Sequence, residues 1–356
     1  MASIVLLNMG GPETLDDVRP FLLRLFSDPM LIALPGGRWV QPAFARAITA
    51  ARAPRVRKLY ARIGGGSPLL RLTREQARGL ERALARRGKP GVRVEVAMRY
   101  APPFAEEALA RLVEAGEKRA LALPLYPHEC RATTGSSLAD LGAARDRVAP
   151  AMTIDIVHSY HEHPGYVAAL VGRIVEALDR LDEEDRAEAV LLFSAHGVPE
   201  RLARRGDPYV RQIRETVDAV MHSLEGTLGR RPEHRLGFQS RVGPVRWVGP
   251  GTDEVIRSLA GRRCVLAIPV AFVSDHIETL YEIDMLFGEE ARRAGIARFA
   301  RVPSLNSDPA FLDALAAIAI GAFEAAEERA GARAEGGAGA RAGRGGTEAR
   351  EGERRR

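Results

Sequence analysis

Cysteine is almost missing from this chain. There are two, Cys130 and Cys264, far apart and in no metal-ligand spacing. That count argues against a disulfide framework and excludes a four-cysteine zinc or iron–sulfur site within one chain. The plain expectation is two free thiols in a reducing compartment. Aromatic residues are also scarce, at 6%. They do not interleave with basic residues, and no nucleic-acid docking motif is present, so no nucleic-acid partner is expected. Long apolar runs are missing as well. The longest, residues 314–323, is roughly half of what a bilayer span needs. The first, residues 4–7, lacks a basic flank and is too short for the core of a signal peptide. A cytosolic location is the expectation.

Charge of one sign does not dominate the body of the chain. The net charge is +6, and the segment after Ala330 holds seven Arg and four Glu, so half of the excess lies there. That segment, almost entirely Gly, Ala, Arg and Glu, is expected to be a disordered tail over 331–356.

What the chain does have is alternation. β-Branched and apolar runs at 4–7, 92–98, 120–125, 153–157, 189–193, 236–239, 265–273 and 299–302 read as strands. Between most of them lie stretches of 3.6-residue periodicity, among them 72–86, 105–115, 164–181 and 208–224. The pattern predicts an α/β protein of two doubly wound parallel-sheet domains, 1–150 and 151–330. No sequence repeat relates the halves. Asp308 and Pro309 mark the start of a last helix.

The unusual polar residues follow the carboxyl ends of these strands, where open α/β sheets bind ligands. Asn8-Met9-Gly10-Gly11 follows the first, Arg99 and Tyr100 the second, Tyr126 to His128 the third, and His196 the fifth. Asp275, His276, Glu278, Glu282 and Asp284 follow the seventh. They are expected to meet in one cleft between the domains. His196 could accept a proton near neutral pH or ligate a metal, or simply be a hydrogen-bonded histidine at a strand end. Asp275, Glu278 and Glu282 fall at α-helical spacings of three and four, a stripe that repels itself unless it meets a cation, a proton or solvent. Asp275 and Glu278 also read as a capping box. The glycine-rich stretches Ile63-Gly-Gly-Gly-Ser-Pro68 and Thr133-Thr-Gly-Ser-Ser137 read as loops, and neither is a P-loop. The apolar segment 21–35 would be core, or, if exposed, a surface for a greasy ligand or a membrane.

Six stretches carry a resemblance. They are Leu7-Asn-Met-Gly-Gly-Pro-Glu-Thr14, Ile63-Gly-Gly-Gly-Ser-Pro68, Tyr126-Pro127 with Thr133-Thr-Gly-Ser136, Phe193-Ser-Ala-His-Gly-Val-Pro199, Gln239-Ser240 with Val242-Gly-Pro244 and Trp247, and Phe272-Val-Ser-Asp-His-Ile-Glu-Thr-Leu-Tyr-Glu-Ile-Asp284. In this order, over residues 3–325, the chain resembles the ferrochelatase family, which inserts Fe²⁺ into protoporphyrin IX. The resemblance implies two Rossmann-like domains with the porphyrin between them, a lyase of haem biosynthesis, no tightly bound cofactor, no iron–sulfur cluster, and Fe²⁺ as substrate. It makes His196 and Glu278 the catalytic and metal-binding pair, facing each other across the macrocycle. It makes Asp275, His276 and Glu282 a proton or metal relay. It assigns Met9, Leu22, Leu25, Leu31, Tyr60, Ser67 and Tyr126 to the porphyrin pocket and its lip. The apolar lip is also where peripheral membrane contact is expected. Glu129 and Cys130 depart from many relatives, as does Ala51, beside Arg52. A desolvated Glu278 is expected to hold its proton more tightly than an ordinary glutamate. The rival readings are a chelatase for coproporphyrin, a cobalt chelatase for a more reduced tetrapyrrole, and a non-catalytic haem or porphyrin carrier. The stretch from Val242 to Thr252 leans toward protoporphyrin by resemblance.

Overall fold

A computed structural model describes residues 3–351 apart from Ala33, Pro35, Val242 and Pro244. Val242 and Pro244, part of the stretch that favours protoporphyrin, thus lie outside the described residues. All eight expected strands form: β1 Ser3–Asn8, β2 Val94–Met98, β3 Arg119–Pro124, β4 Thr153–Ile156, β5 Val190–His196, β6 His234–Gln239, β7 Cys264–Pro269 and β8 Arg298–Arg301. Every pairing is parallel, in two sheets of order β2-β1-β3-β4 and β6-β5-β7-β8. The halves therefore share one topology although their sequences show no repeat. β4 lies beyond the expected break at residue 150 yet pairs with β3, so the chain leaves the first sheet after Ile156.

The strands are apolar throughout because both faces are covered, as parallel sheets require. Alternate residues of one strand enter different cores. Ile4 and Leu6 of β1 join Leu191 and Phe193 of β5 in a single core between the sheets. Val5 and Leu7 pack outward under the helices Ala105–Glu114 and Ser136–Val148. Val190 and Leu192 pack outward with Val255 and Ile283. The helices Leu69–Arg86, Pro164–Asp179 and Tyr209–Leu228 also contribute to the shared core.

The last helix starts at Pro309, with the Asp308 carboxylate accepting from the Phe311 N–H (3.1 Å) as expected of a cap. Its segment 309–329 is long and apolar enough to span a bilayer, but half of it is buried. Phe311, Leu315 and Ala319 are fully buried in the shared core, so this is a core helix. It packs back on the helix Leu69–Arg86 and on β3 and β4, in the first half of the chain. Its backbone stays helical to Glu351, through much of the segment expected to be disordered.

The segment expected to be core or lip is both. The helix Val18–Ser27 packs on the helix Gln41–Arg62, which buries Phe21, Leu22 and Phe26 beside Tyr60 and Tyr100. Leu25, Leu31 and Ile32 stay half-buried at its edge.

Candidate active site

The carboxyl ends of both sheets open on one cavity of about 710 Å³. Met9 from the β1 loop, Tyr126 to Cys130 from the β3 loop, and His196 at the tip of β5 line it. Phe272, His276 and Glu278 line it from beyond β7, and Pro29 to Ile32 from the lip.

His196 is the last residue of β5, registered against Gln239 of β6. Its backbone carbonyl accepts from the Tyr209 hydroxyl (3.1 Å). Gly197 next to it can only be glycine, because a Cβ there would stand 2.6 Å from the Gln239 carbonyl oxygen. The chain needs that close approach, since the Gly197 N–H donates to the same oxygen (2.8 Å). Phe272 lies edge-on to the His196 ring at 6.4 Å and against the His276 ring at 4.6 Å.

His196 Nδ1 and Glu278 Oε2 are 2.8 Å apart. The expected arrangement, with a macrocycle between them, is therefore corrected. The two groups form one pair on one side of the cavity, and no ring fits through a hydrogen bond. An Nδ1–H donated to the carboxylate leaves the Nε2 lone pair free. The expected direction for Glu278 is corrected too. Burial pushes its carboxyl up, but His196 by charge and hydrogen bond, His276 by charge and Ser240 by hydrogen bond outweigh it and hold it below an ordinary glutamate. Burial pushes His196 down, and the charge and hydrogen bond of Glu278, with the charge of Glu282, raise it above an ordinary histidine. The displaced proton affinity appears at Glu282, which burial and the charge of Glu278 lift above an ordinary glutamate. His276 is lowered by burial, against the charges of Glu278 and Asp275.

The carboxylates hang on an unusual helix. Residues Glu278–Phe287 form a π-helix, with hydrogen bonds spanning five residues, a geometry found mostly at functional sites. The α-helical stripe read from the sequence is therefore replaced. Glu278 turns to the main cavity and Glu282 lines a second one of about 520 Å³, together with Gln239, Ser240 and Arg241. The Gln239 amide bridges the two, donating to the Glu278 carbonyl and to Glu282 Oε2 (both 3.1 Å). Ser240 holds Glu282 through its N–H (2.8 Å) and its hydroxyl.

The capping box does not form. Glu278 goes to His196, and the Asp275 carboxylate is filled by Arg301 (2.8 Å), Ser304 (2.7 Å), Asn306 (2.8 Å) and Thr279 (3.2 Å). Asp275 is not among the residues that line the cavity. It anchors the start of the π-helix instead. Among the described residues, the two non-glycines in the left-handed region are Ser240 (φ 62°) and Asn306 (φ 45°), and each grips one of these carboxylates. Such backbone costs about 1–3 kcal/mol, spent here on fixing Glu282 and Asp275.

Of the expected pocket residues, Met9, Leu31 and Tyr126 line the cavity. Leu22 and Tyr60 are buried beneath the lip, and Leu25 packs against the same cluster. Ser67 ties two glycine-rich loops together, its N–H donating to the Pro12 carbonyl (2.7 Å). These four support the wall rather than form it. Sequence reasoning did not single out Met30 or Ile32 within the apolar segment 21–35, and gave no role to Phe272 or the clamp of Arg301, Ser304 and Asn306. An apolar residue beside an apolar run carries no sign of which way it faces.

Comparison with known proteins gives one family. A family model named Ferrochelatase matches residues 1–322. A ferrochelatase of Geotalea uraniireducens is 45% identical over 316 residues, 88% of this chain and 95% of the relative. One from Gloeobacter violaceus is 46% identical over 322 residues, 89% and 96% of the two chains. Among solved structures, SirB from Bacillus subtilis with Fe³⁺ superposes with a TM-score of 0.51 at 16% identity, covering 72% of this chain and 91% of that one. At that identity it speaks to the fold alone.

Proposed function

The chain belongs to the ferrochelatase family, metal-inserting lyases of haem biosynthesis, and from that premise we propose that it inserts Fe²⁺ into protoporphyrin IX at the His196–Glu278 pair. The observation that carries this reading is a half-buried imidazole–carboxylate pair with a free Nε2 on the wall of a largely apolar cavity.

Metallation replaces two pyrrole protons with one Fe²⁺ and involves no change of oxidation state. The apolar wall of Met9, Met30, Leu31, Ile32 and Phe272 receives the ring. Interactions that favour a bent ring accelerate the step, since bending exposes the nitrogen lone pairs and only preferential binding of the transition state speeds a reaction. In its neutral form His196 accepts the two pyrrole protons at Nε2 one after the other, passing the first on before it takes the second, or briefly holds the metal, and imidazole suits Fe²⁺. Glu278, anionic and hydrogen-bonded to Nδ1, stabilises the imidazolium that forms. Glu282, with its raised affinity for a proton, takes the proton onward and gives it up at the second cavity. His276, whose proton affinity burial lowers, lines the main cavity with Glu278. We assign no relay role to Asp275, whose oxygens are occupied.

We place the reaction in the cytosol, with no tightly bound cofactor. Both thiols are free and buried, which suits a reducing compartment. The half-buried lip residues Leu25, Leu31 and Ile32 are where a membrane delivering an insoluble porphyrin would touch.

The test is an anaerobic assay with ferrous iron and protoporphyrin IX, followed by absorbance. The wild type is expected to turn over, and His196→Ala to bind porphyrin while inserting no metal. Near-normal turnover by the variant refutes the role of His196. Porphyrin binding with no metal uptake by the wild type makes the protein a carrier.

A further inference from the structure

A cluster of ionisable groups outside both cavities has no part in the chemistry above. The crossover from β4 to the helix Pro164–Asp179 reads His158-Ser-Tyr-His-Glu-His163 and carries three of the chain's eight histidines. Short histidine-rich tracts are a metal-binding composition, and the structure sorts these three. His163 caps the helix, its Nδ1 accepting from the Gly165 N–H (3.2 Å). His158 is exposed, with Nδ1 3.6 Å from Glu129. His161 turns Nε2 to two carboxylates. Glu215 Oε2, from the helix Tyr209–Leu228, lies at 2.9 Å, and Glu162 Oε2 at 3.4 Å. The three ligand atoms all lie within 4.8 Å of one another.

The far side of the ring fixes what Nε2 can do. Ser159 Oγ stands 2.7 Å from His161 Nδ1. The same hydroxyl has two neighbours that only accept, the Pro127 carbonyl (2.9 Å) and Gln212 Oε1 (3.2 Å). Its one proton goes to them, so its oxygen accepts Nδ1–H from His161. In the neutral ring the lone pair then sits on Nε2, facing both carboxylates. Three acceptors converge there, and only a cation joins them, either a second proton on the ring or a metal ion. A hydrogen bond on the far nitrogen is also how proteins orient metal-ligating histidines. Ligand atoms about 3.3 Å apart surround a tetrahedral ion with bonds of about 2.0–2.1 Å. The 2.9 and 3.4 Å separations bracket that spacing. Arg211 offsets only part of the negative charge. It donates to both oxygens of Glu215 (2.8 and 3.1 Å) from an exposed position, and among the described residues Glu162 pairs with His161 alone.

We propose that His161, Glu162 and Glu215 bind one divalent first-row transition ion, of the class of Co²⁺, Zn²⁺ or Fe²⁺, at a site separate from the His196–Glu278 pair. The imidazole selects these ions over Mg²⁺ and Ca²⁺, which take oxygen donors. The ion replaces the second ring proton, which leaves to solvent, and it fastens the crossover to the helix Tyr209–Leu228. The junction reaches the wall of the main cavity. Gln212 Oε1 also accepts from the Glu129 N–H (2.6 Å), Ser159 holds the Pro127 carbonyl, and Pro127 and Glu129 line that cavity.

The experiment uses the untagged full-length chain with His196→Ala, without porphyrin, so that the imidazole of the cavity pair is gone and nothing turns over. Co²⁺ is the probe, followed by calorimetric titration and by its visible absorption. One equivalent should bind, and the melting temperature should rise with Co²⁺ concentration. Mg²⁺ at the same concentration should do neither. Adding His161→Ala should weaken Co²⁺ binding by at least about 10–100-fold, the range that losing even an outer partner of a ligand costs. Adding Glu162→Gln should weaken it by about tenfold. With 61% of its side chain exposed, Glu162 can be changed without disturbing the fold, so this variant decides if His161→Ala does not fold. Absence of saturable Co²⁺ binding, binding that neither substitution weakens, or equal binding of Mg²⁺ overturns the proposal. None of these outcomes bears on iron insertion, which the wild-type assay decides separately.

Discussion

Asp28 is a carboxylate with 1% of its side chain exposed, placed directly before the lip residues Pro29 to Ile32 that line the cavity. It accepts from Tyr100 (2.7 Å), Arg99 (3.0 Å), Ser136 and the Met30 N–H (2.8 Å). Burial pushes its carboxyl up, but the bonds from Ser136, Tyr100 and Met30 and the charge of Arg99 bring it below an ordinary aspartate. A folded value below the unfolded one, near about 3.9, gives stability that is complete above that pH and is lost as pH falls through the folded value. Asp28→Asn should therefore cost roughly 3 kcal/mol at pH 7, the scale for removing one partner of a buried pair, and less below about pH 3.9. Urea denaturation at pH 7 and pH 3 checks this, and an equal gap at both would show that charge is not what Asp28 contributes. At the reacting centre, Glu278→Gln keeps a hydrogen-bond acceptor near His196 Nδ1 but removes the charge that stabilises the imidazolium. Single-turnover zinc insertion should slow by about 10²–10⁴, the usual range for a group active in proton transfer. A wild-type rate would free Glu278 of that role.

The π-helix Glu278–Phe287 is the element that most changes the meaning of the sequence. The motif from Asp275 to Asp284 announces a polar site, because so many ionisable groups after a buried strand have no place in a core. Its geometry was not legible. Spacings of three and four assume 3.6 residues per turn, and a wider helix sends Glu278 and Glu282 to different cavities. What holds this helix open also lies far along the chain, in Arg301, Ser304 and Asn306 around Asp275. Arg301 reaches Asp284 as well (2.7 Å), so it ties the segment before the helix to a residue within it. Asp275→Ala should cost about 3 kcal/mol, since it leaves a mostly buried guanidinium short of a partner. It should also lower kcat, because Glu278 and Glu282 lose their fixed approach. Asp275→Asn, which can still meet Ser304 and Thr279, should recover part of both. Thermal melting and steady-state insertion rates are the readouts, and a lower melting temperature with unchanged kcat would confine Asp275 to stability.

Across the whole molecule, the strands were readable because continuous apolar runs ended by turn residues have few other meanings. What joins the halves was not. One core runs between the sheets, from Ile4 and Leu80 to Phe193 and Phe311, and apolar periodicity does not say which sheet a helix covers. The helix beginning at Pro309 follows the second sheet in sequence but packs on the first. Gln76 makes the same link with polar atoms, its amide donating to Ser274 Oγ and to the Asn306 carbonyl (both 2.9 Å), beside the clamp that holds Asp275. The cleft is therefore walled by parts that cannot separate without opening the core. Two topologically equal halves with independent cores would melt in two steps, whereas a shared core predicts one. Calorimetry should give a single transition whose calorimetric and van't Hoff enthalpies agree. Phe311 is fully buried, 6.4 Å from the Tyr166 ring, and Phe311→Ala should cost about 3–5 kcal/mol. That loss should move the whole transition down without splitting it. A second peak that stays in place while the first falls would mean that the halves fold separately, and that the cleft holding His196 can open without unfolding either sheet.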